Sequence, residues 1–440
     1  MGSGLWNSGQ EALRSYFRRS PELSSLYRLV YHHRDDFEYR WEQSYQNHYG
    51  RLRREVLESF DAYLNCGILA NGCARVRCED CNHSRLVAFS CKGRGICPSC
   101  AAKRAHIFAE NVVEEVLYET GKHSHIVLSI PKRLRIFFRY DRSLLKHMYS
   151  AAWASLKELA LEGRSSGSRC GAIMSVHTAG RQLNFHPHLH VIFLNGVFLE
   201  DGSFEAIERI DSGALELLFS EKLFYSLKEA GLIDESLIEN MSSWAHSGFS
   251  AWVGEGKSVV EDRNDVLFLA RYLKKCPIVL DNIHLIEGEE VRVAYSSFFS
   301  DGERWREFRA LDFLAELSQH IPDKWEQTTR YYGVYSARSR GKASELEEGL
   351  EPEEEDPAVM AADMDKLPPS RSWAMCIKKV FEIDPLSCPE CGGRMKVVAF
   401  IHDLKEIKRI SENLGESSWR APPPFLKAAA GDTVLAYDVF

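Results

Sequence analysis

The segment Phe185-His186-Pro187-His188-Leu189-His190-Val191-Ile192-Phe193 places three histidines at alternate positions and runs into an apolar stretch. In an extended strand, side chains two apart share a face. His186, His188 and His190 can therefore converge on one point while Leu189 and Val191 face a core. Imidazole is the commonest protein metal ligand. A strand that aims two or three imidazoles at one spot is a platform for a divalent cation, and the competing reading is a polar strand face.

The cysteines carry a second chemistry. Cys78-x2-Cys81 and Cys97-x2-Cys100, with fifteen residues between the pairs, fit the four-cysteine zinc pattern. Four thiolates close a tetrahedron and leave no open position, so such a site is structural. Cys66 and Cys91 are left over as candidates for a second zinc. Near the C-terminus, Cys388-x2-Cys391-Gly392-Gly393 is half a site, with Cys376 as a candidate third ligand. Arg75, Arg77, Arg94, Lys103 and Arg104 are interleaved with the cysteines. They suit a grip on DNA phosphates, or simply a solvated basic face.

Among seventeen tyrosines, Tyr272 stands out for its setting, Leu269-Ala270-Arg271-Tyr272-Leu273-Lys274-Lys275. Leu269 and Leu273 can anchor a helix on a core, and Tyr272 and Lys275 share an adjacent face. Arg271 and Lys274 add positive charge. A tyrosine in this setting can meet a phosphate, although an interface role is the ordinary alternative. Arg330-Tyr331-Tyr332 begins another basic and aromatic cluster, suited either to stacking on bases or to core packing.

These residues need elements to position them. The histidine run is a strand, followed by an Asn195-Gly196 turn that signals a hairpin with Val197–Leu199. His125–Ile130 and Ala172–His177 read as further strands, and Leu144–Leu161, Leu215–Ala230 and Val266–Lys275 as helices. The fold class is α+β. We expect a helical region at 1–60, a zinc-binding DNA-recognition module at 61–110 and a catalytic domain at 111–340. An acidic linker at 341–370 and a small C-terminal module at 371–440 follow.

The net charge of −8 is unevenly spread. Residues 345–365 hold ten acidic residues and no basic one, so without them the charge is +2. No apolar run is long enough for a membrane span, and no signal-peptide core opens the chain. The expectation is a soluble cytoplasmic protein, and paired CxxC motifs in such a chain point to metal, not disulfides.

Taken in order, these blocks resemble the HUH-type transposases of the insertion-sequence 91 type, relatives of Helitrons and rolling-circle replication initiators. The likeness includes Phe89-Ser90-Cys91-Lys92-Gly93-Arg94-Gly95-Ile96-Cys97-Pro98-Ser99-Cys100, Leu128-Ser129-Ile130-Pro131-Lys132 and the histidine strand. It continues through Ala270-Arg271-Tyr272-Leu273, Arg330-Tyr331-Tyr332-Gly333 and Cys388-Pro389-Glu390-Cys391.

The resemblance implies an HUH endonuclease domain, with an antiparallel sheet and flanking helices. It implies that His188 and His190 hold a catalytic Mg²⁺ or Mn²⁺, with His186 as third ligand and His177 as its competitor. Tyr272 would be the nucleophile; activating its phenol would need the cation, Lys274 or Lys275, or a further base. The reaction would be nicking and rejoining of single-stranded DNA through a 5′-phosphotyrosine, in a rolling-circle-like route located at the bacterial nucleoid. No Walker-type loop is present, which fits chemistry without ATP. Phe268 and Cys276 occupy the positions one helical turn either side of Tyr272, so a single nucleophile is expected. A replication initiator with the same chemistry, and a zinc-dependent DNA-binding protein without nuclease activity, are the alternatives.

Overall fold

A computed structural model describes residues 20–118, 122–254, 259–260, 263–340 and 386–415. Helices Ser25–Ser44 and Arg54–Leu64 come first, then strands β1 (Cys73–Cys78) and β2 (Ser84–Ala88) and the helix Pro98–Asn111. Strand β3 (His123–Ser129) is followed by the helix Leu145–Leu161, β4 (Gly171–Ala179) and β5 (Phe185–Leu194). A ribbon of β6 (Gly196–Phe198) and β7 (Phe204–Ala206) leads to the helix Ser212–Glu229, then β8 (Ser250–Val253) and β9 (Val259–Val260). After the helix Arg263–Tyr272 come β10 (Ile283–Ile286), β11 (Arg292–Phe299), β12 (Gly302–Arg309) and the helix Ala310–Ser318. Strand β13 (Thr329–Gly333), β14 (Met395–Ile401) and the helix Leu404–Asn413 complete the described chain. The α+β class is borne out. The acidic segment 341–370 and Cys376 lie outside the described residues.

The chain forms two compact units. The larger contains an antiparallel sheet in the order β13-β4-β5-β3-β8, with β9 also paired to β3. Period-two alternation assigns its faces. Ile126, Leu128, Met174, Val176, Leu189, Val191 and Phe193 pack on one side with Leu145, Met148, Leu156, Leu215, Phe219 and Leu223 from two helices. Each such fully buried side chain contributes about 1.5–3 kcal/mol over an exposed one. Ile173, Ile192 and Leu194 face the other way, against Val266, Leu269, Ala270 and Leu273 of the Arg263–Tyr272 helix region. The histidines of the strands share this second face.

The Asn195-Gly196 hairpin with β5 does not form. Gly196–Phe198 pairs with Phe204–Ala206 instead. Gly196 lies so close to the Phe204 ring that no side chain fits there. Glycine therefore serves the ribbon's packing and not a two-residue turn.

The smaller unit contains the sheet β14-β1-β2. The C-terminal segment, expected as a separate module, supplies its edge strand, with Cys73 opposite Ile401 and Cys78 opposite Met395. Ile407 packs against Leu69, Cys73 and Leu86 beneath that sheet.

Gly333 ends β13 at φ +60. A Cβ there would collide with the Cys170 carbonyl and the Trp153 ring. We expect Gly333→Ala to destabilise the larger unit by on the order of 3 kcal/mol. Urea titration of the variant checks this, and an unchanged midpoint would show that the edge strand yields freely.

Candidate metal and tyrosine site

Pairing of β4 with β5 sets His177 opposite His188 and Ser175 opposite His190. Among the described residues, one nitrogen from each of His177, His188 and His190 lies within 4.8 Å of the others. The structure thus brings His177, not His186, to the pair. The reason is a register shift in the strands. Ala179 pairs with Phe185 and His177 with His188, so His186 and Pro187 together face the single residue Thr178. Such a bulge breaks the period-two alignment, and proline, which has no N–H to pair, is suited to it. His186 remains next door, its ring centroid 5.3 Å from that of His188.

Hydrogen bonds orient the three imidazoles. His188 Nδ1 donates to the His186 carbonyl at 2.7 Å, which leaves Nε2 as its lone-pair nitrogen. His177 Nε2 donates to the Leu273 carbonyl at 3.2 Å. His190 Nδ1 meets His125 Nε2 at 2.9 Å. His190 Nε2 is buried without a hydrogen-bond partner among the described residues. A buried lone pair of this kind is costly unless it binds something. Three neutral imidazoles, each held through its other nitrogen, fit a metal site, where such hydrogen bonds fix the tautomer and the ring orientation.

Electrostatics keep the cluster uncharged. Burial, reinforced by His188, pushes His177 down to about 3. Burial lowers His190 strongly, with His177, His188 and His125 adding to it. Burial also brings His125 down to about 4. Neutral imidazole is the ligating form.

Tyr272 is the last residue of its helix. The Leu273 carbonyl, one residue on, is held by the Ser175 hydroxyl at 2.8 Å as well as by His177. The Tyr272 ring lies 4.9 Å from the His190 ring, 5.7 Å from His177 and 6.1 Å from His125. Lys275 Nζ stands 5.4 Å from the Tyr272 ring centroid. Lys274 is committed elsewhere, 4.8 Å from the Phe108 ring, and burial aided by Arg104 and Arg94 lowers it to about 8. Arg271 is exposed on the same helix.

His125 is the residue that sequence reading missed. It forms a period-two pair with His123 on an apolar strand, a signal weaker than the triple on β5.

The expected zinc tetrad is not assembled. Cys78 and Cys81 gather with Cys388 and Cys391, all four sulfurs within 4.8 Å. Cys97 and Cys100 belong instead to the larger unit, at the start of the Pro98–Asn111 helix. Two CxxC pairs fifteen residues apart satisfied a spacing rule, but pairing of β1 with β14 brings a distant CxxC closer. Within the smaller unit, Cys91 N–H donates to the Cys66 sulfur at 3.4 Å.

Several DNA-contact candidates have structural work. Arg94 donates to the carbonyls of Asp323, Lys324 and Glu326. Arg104 donates to the Lys92 carbonyl. Arg330 lies over the Tyr149 ring, Tyr332 stacks on Trp153 and Tyr331 packs at the edge of the Tyr272 helix core. Arg75 is near Ser84, Arg77 is exposed on β1, and Lys103 sits half-buried on the Pro98–Asn111 helix.

Comparison with known proteins identifies two matched segments. Residues 37–130 match a family model described as a transposase zinc-binding domain, and residues 171–343 match one described as "Putative transposase". The transposase for insertion sequence element IS801 of Pseudomonas savastanoi pv. phaseolicola is 27% identical over 371 residues, 81% of this chain and 86% of that protein. "Putative transposase y4qJ" of Sinorhizobium fredii (strain NBRC 101917 / NGR234) is 24% identical over 351 residues, 73% of this chain and 82% of its own length.

The chain belongs to the IS91-type transposases.

No solved structure matches it. In this transposase the three histidines and Tyr272 all fall inside the 171–343 match, whereas Cys388 and Cys391 lie outside both matched segments. Among the described residues no helix is long and apolar enough to cross a membrane.

The buried histidines set a pH dependence. His123 and His320 are held down to about 4 and about 3 by burial, as is His177 to about 3. In the unfolded chain each titrates near ~6.5. The unfolded state therefore binds more protons below that pH, and native stability falls as pH drops from 6.5 toward 3. Between pH 6.5 and 5, before carboxylates titrate, the melting temperature of metal-chelated protein should decline steadily. A flat melting temperature across that interval contradicts neutral burial of these side chains.

Proposed function

We propose that this IS91-type transposase nicks and rejoins single-stranded DNA through a 5′-phosphotyrosine on Tyr272, in an HUH-type domain and a rolling-circle-like transposition route. The observation that carries the reading is the approach of the Tyr272 ring to 4.9 Å from His190, in a cluster whose three imidazoles share one face of the sheet.

His177, His188 and His190 would hold Mg²⁺ or Mn²⁺, and imidazole donors favour Mn²⁺ by ligand softness. When bound, the cation supplies positive charge for the non-bridging oxygens of the scissile phosphodiester. The chain's own residues do the rest. The Tyr272 hydroxyl gives up its proton and its oxygen bonds to phosphorus. The bond from phosphorus to the 3′ oxygen breaks, and that oxygen leaves as a 3′-hydroxyl after taking a proton. Lys275 places an ammonium on the tyrosine side of the cluster, where phosphate charge needs compensation. Ser175 and His177, by holding the Leu273 carbonyl, fix the end of the helix that presents the phenol. The phosphotyrosine bond retains the energy of the broken phosphodiester, so a 3′-hydroxyl can reverse the step and rejoin strands without ATP.

His125 is a positioning residue. Its Nε2 accepts from His190 Nδ1–H, which fixes the tautomer that turns the His190 Nε2 lone pair toward the cluster.

Incubation of the protein with labelled single-stranded DNA from the ends of its element, with Mn²⁺, tests the proposal. A covalent protein–DNA band should form, and Tyr272→Phe should abolish it while retaining the wild-type melting temperature. An undiminished band in that variant rules out Tyr272. His188→Ala/His190→Ala should lower the nicking rate by at least about 100-fold without changing zinc content. Loss of zinc instead would mean that these histidines serve a structural ion. His125→Ala should weaken Mn²⁺ affinity by about 10–100-fold, with activity recovered at saturating Mn²⁺. Unaltered affinity would refute the positioning role.

A further inference from the structure

We infer that Cys78, Cys81, Cys388 and Cys391 hold one zinc ion, so that the C-terminal segment supplies half of a zinc site whose other half lies in the zinc-binding domain. The matched zinc-binding segment ends at residue 130, and the second ligand pair lies far beyond it.

The sulfur geometry separates the possible states. Cys78 and Cys391 sulfurs are 3.5 Å apart, Cys81 and Cys388 3.5 Å, and Cys81 and Cys391 3.4 Å. A disulfide requires about 2.05 Å, so these are not bridges. With zinc–sulfur bonds of about 2.3 Å, a tetrahedron has sulfur–sulfur edges of about 3.8 Å. The observed separations are close to that edge. All four sulfurs lie within 4.8 Å of one another, as the shared coordination of one cation requires.

The two CxxC turns are also built alike. Cys78 N–H donates to the His83 carbonyl at 2.8 Å, and Cys388 N–H donates to the Gly393 carbonyl at 2.8 Å, each a bond to the fifth residue on. The residue after each second cysteine is left-handed, Asn82 at φ +61 and Gly392 at φ +74. Backbone N–H groups of Cys81 and Asp80 point at the Cys78 sulfur. This is the form of a paired metal knuckle, in which each turn presents two sulfurs and directs backbone donors at them. Gly393 has no room for a Cβ beside the Asp80 carboxylate and the Cys391 sulfur.

The strands seat the turns. Cys78 ends β1 opposite Met395 at the start of β14, so the sheet delivers both turns to one end. Glu79 N–H donates to the Arg394 carbonyl at 3.1 Å, and Lys396 pairs with Glu79. Val76, Val87 and Met395 form only a small apolar cluster with Cys78 and Cys388. A bound metal would add folding energy at this end of the sheet, where the apolar cluster is small.

The test uses the full chain. Zinc per protein is counted by elemental mass spectrometry in wild type and in Cys388→Ser/Cys391→Ser, and cobalt(II) is substituted for optical spectra. The double variant should contain one zinc fewer, and wild type should show the intense visible bands of tetrahedral cobalt thiolate. An unchanged zinc count overturns the site, as does native iron with ferric-thiolate absorption in place of zinc. Cys391→His guards against a variant that simply misfolds. It should retain the wild-type zinc count while shifting the cobalt bands, and unshifted bands overturn the assignment.

Discussion

The register between β4 and β5 governs the site. It places His177 across from His188 and leaves Ser175 beside His190. Slipping it by one residue would turn these side chains into the opposite face, where Leu189 and Val191 now pack. The same register brings Ser175 and His177 to the Leu273 carbonyl, which fixes the end of the tyrosine helix. Imidazole cluster and phenol are thus not independently placed. The hydrophobic packing of Val266, Leu269 and Leu273 against Ile173, Ile192 and Leu194 presses that helix onto the histidine face.

Burial then decides the chemistry of the cluster. Removing imidazoles from water penalises their protonated form, and mutual proximity adds to the penalty. The result is a set of neutral donors, with one buried nitrogen on His190 lacking a hydrogen-bond partner among the described residues. Such a nitrogen costs stability in isolation. It makes sense as one ligand of a cation, with His125 holding the opposite side of the ring.

Much of this architecture was legible in the residues. The histidine strand, the flanking strands and the Tyr272 helix all follow from apolar periodicity and stand within a few residues of their expected ends. His186 was misassigned because a bulge at His186–Pro187 interrupts the alternation, although Pro187 itself was a local sign of irregular pairing. His177 and His125 join the cluster through strand neighbours, and strand order is not written in any one segment. The Asn195-Gly196 dipeptide pointed to a hairpin that long-range packing overrode. The cysteines failed because of long-range pairing. Local spacing joined Cys78 and Cys81 to Cys97 and Cys100, while the β1–β14 pairing joins them to Cys388 and Cys391. The aromatic run at Arg330 was ambiguous, and packing resolved it toward the core.

Membership in the IS91-type transposases rests on matches that include both the sheet with its histidines and the cysteine-rich segment. The central claim is narrower, that Tyr272 and the three imidazoles act as one site on DNA. Its most direct measurement is peptide mapping of the covalent product. After reaction with single-stranded DNA, nuclease trimming and proteolysis, mass spectrometry locates the residual nucleotide. The account predicts a phosphonucleotide on the peptide containing Tyr272, present in wild type and missing when His177, His188 and His190 are replaced. A nucleotide on any other tyrosine, or one on Tyr272 that persists without the histidines, contradicts it.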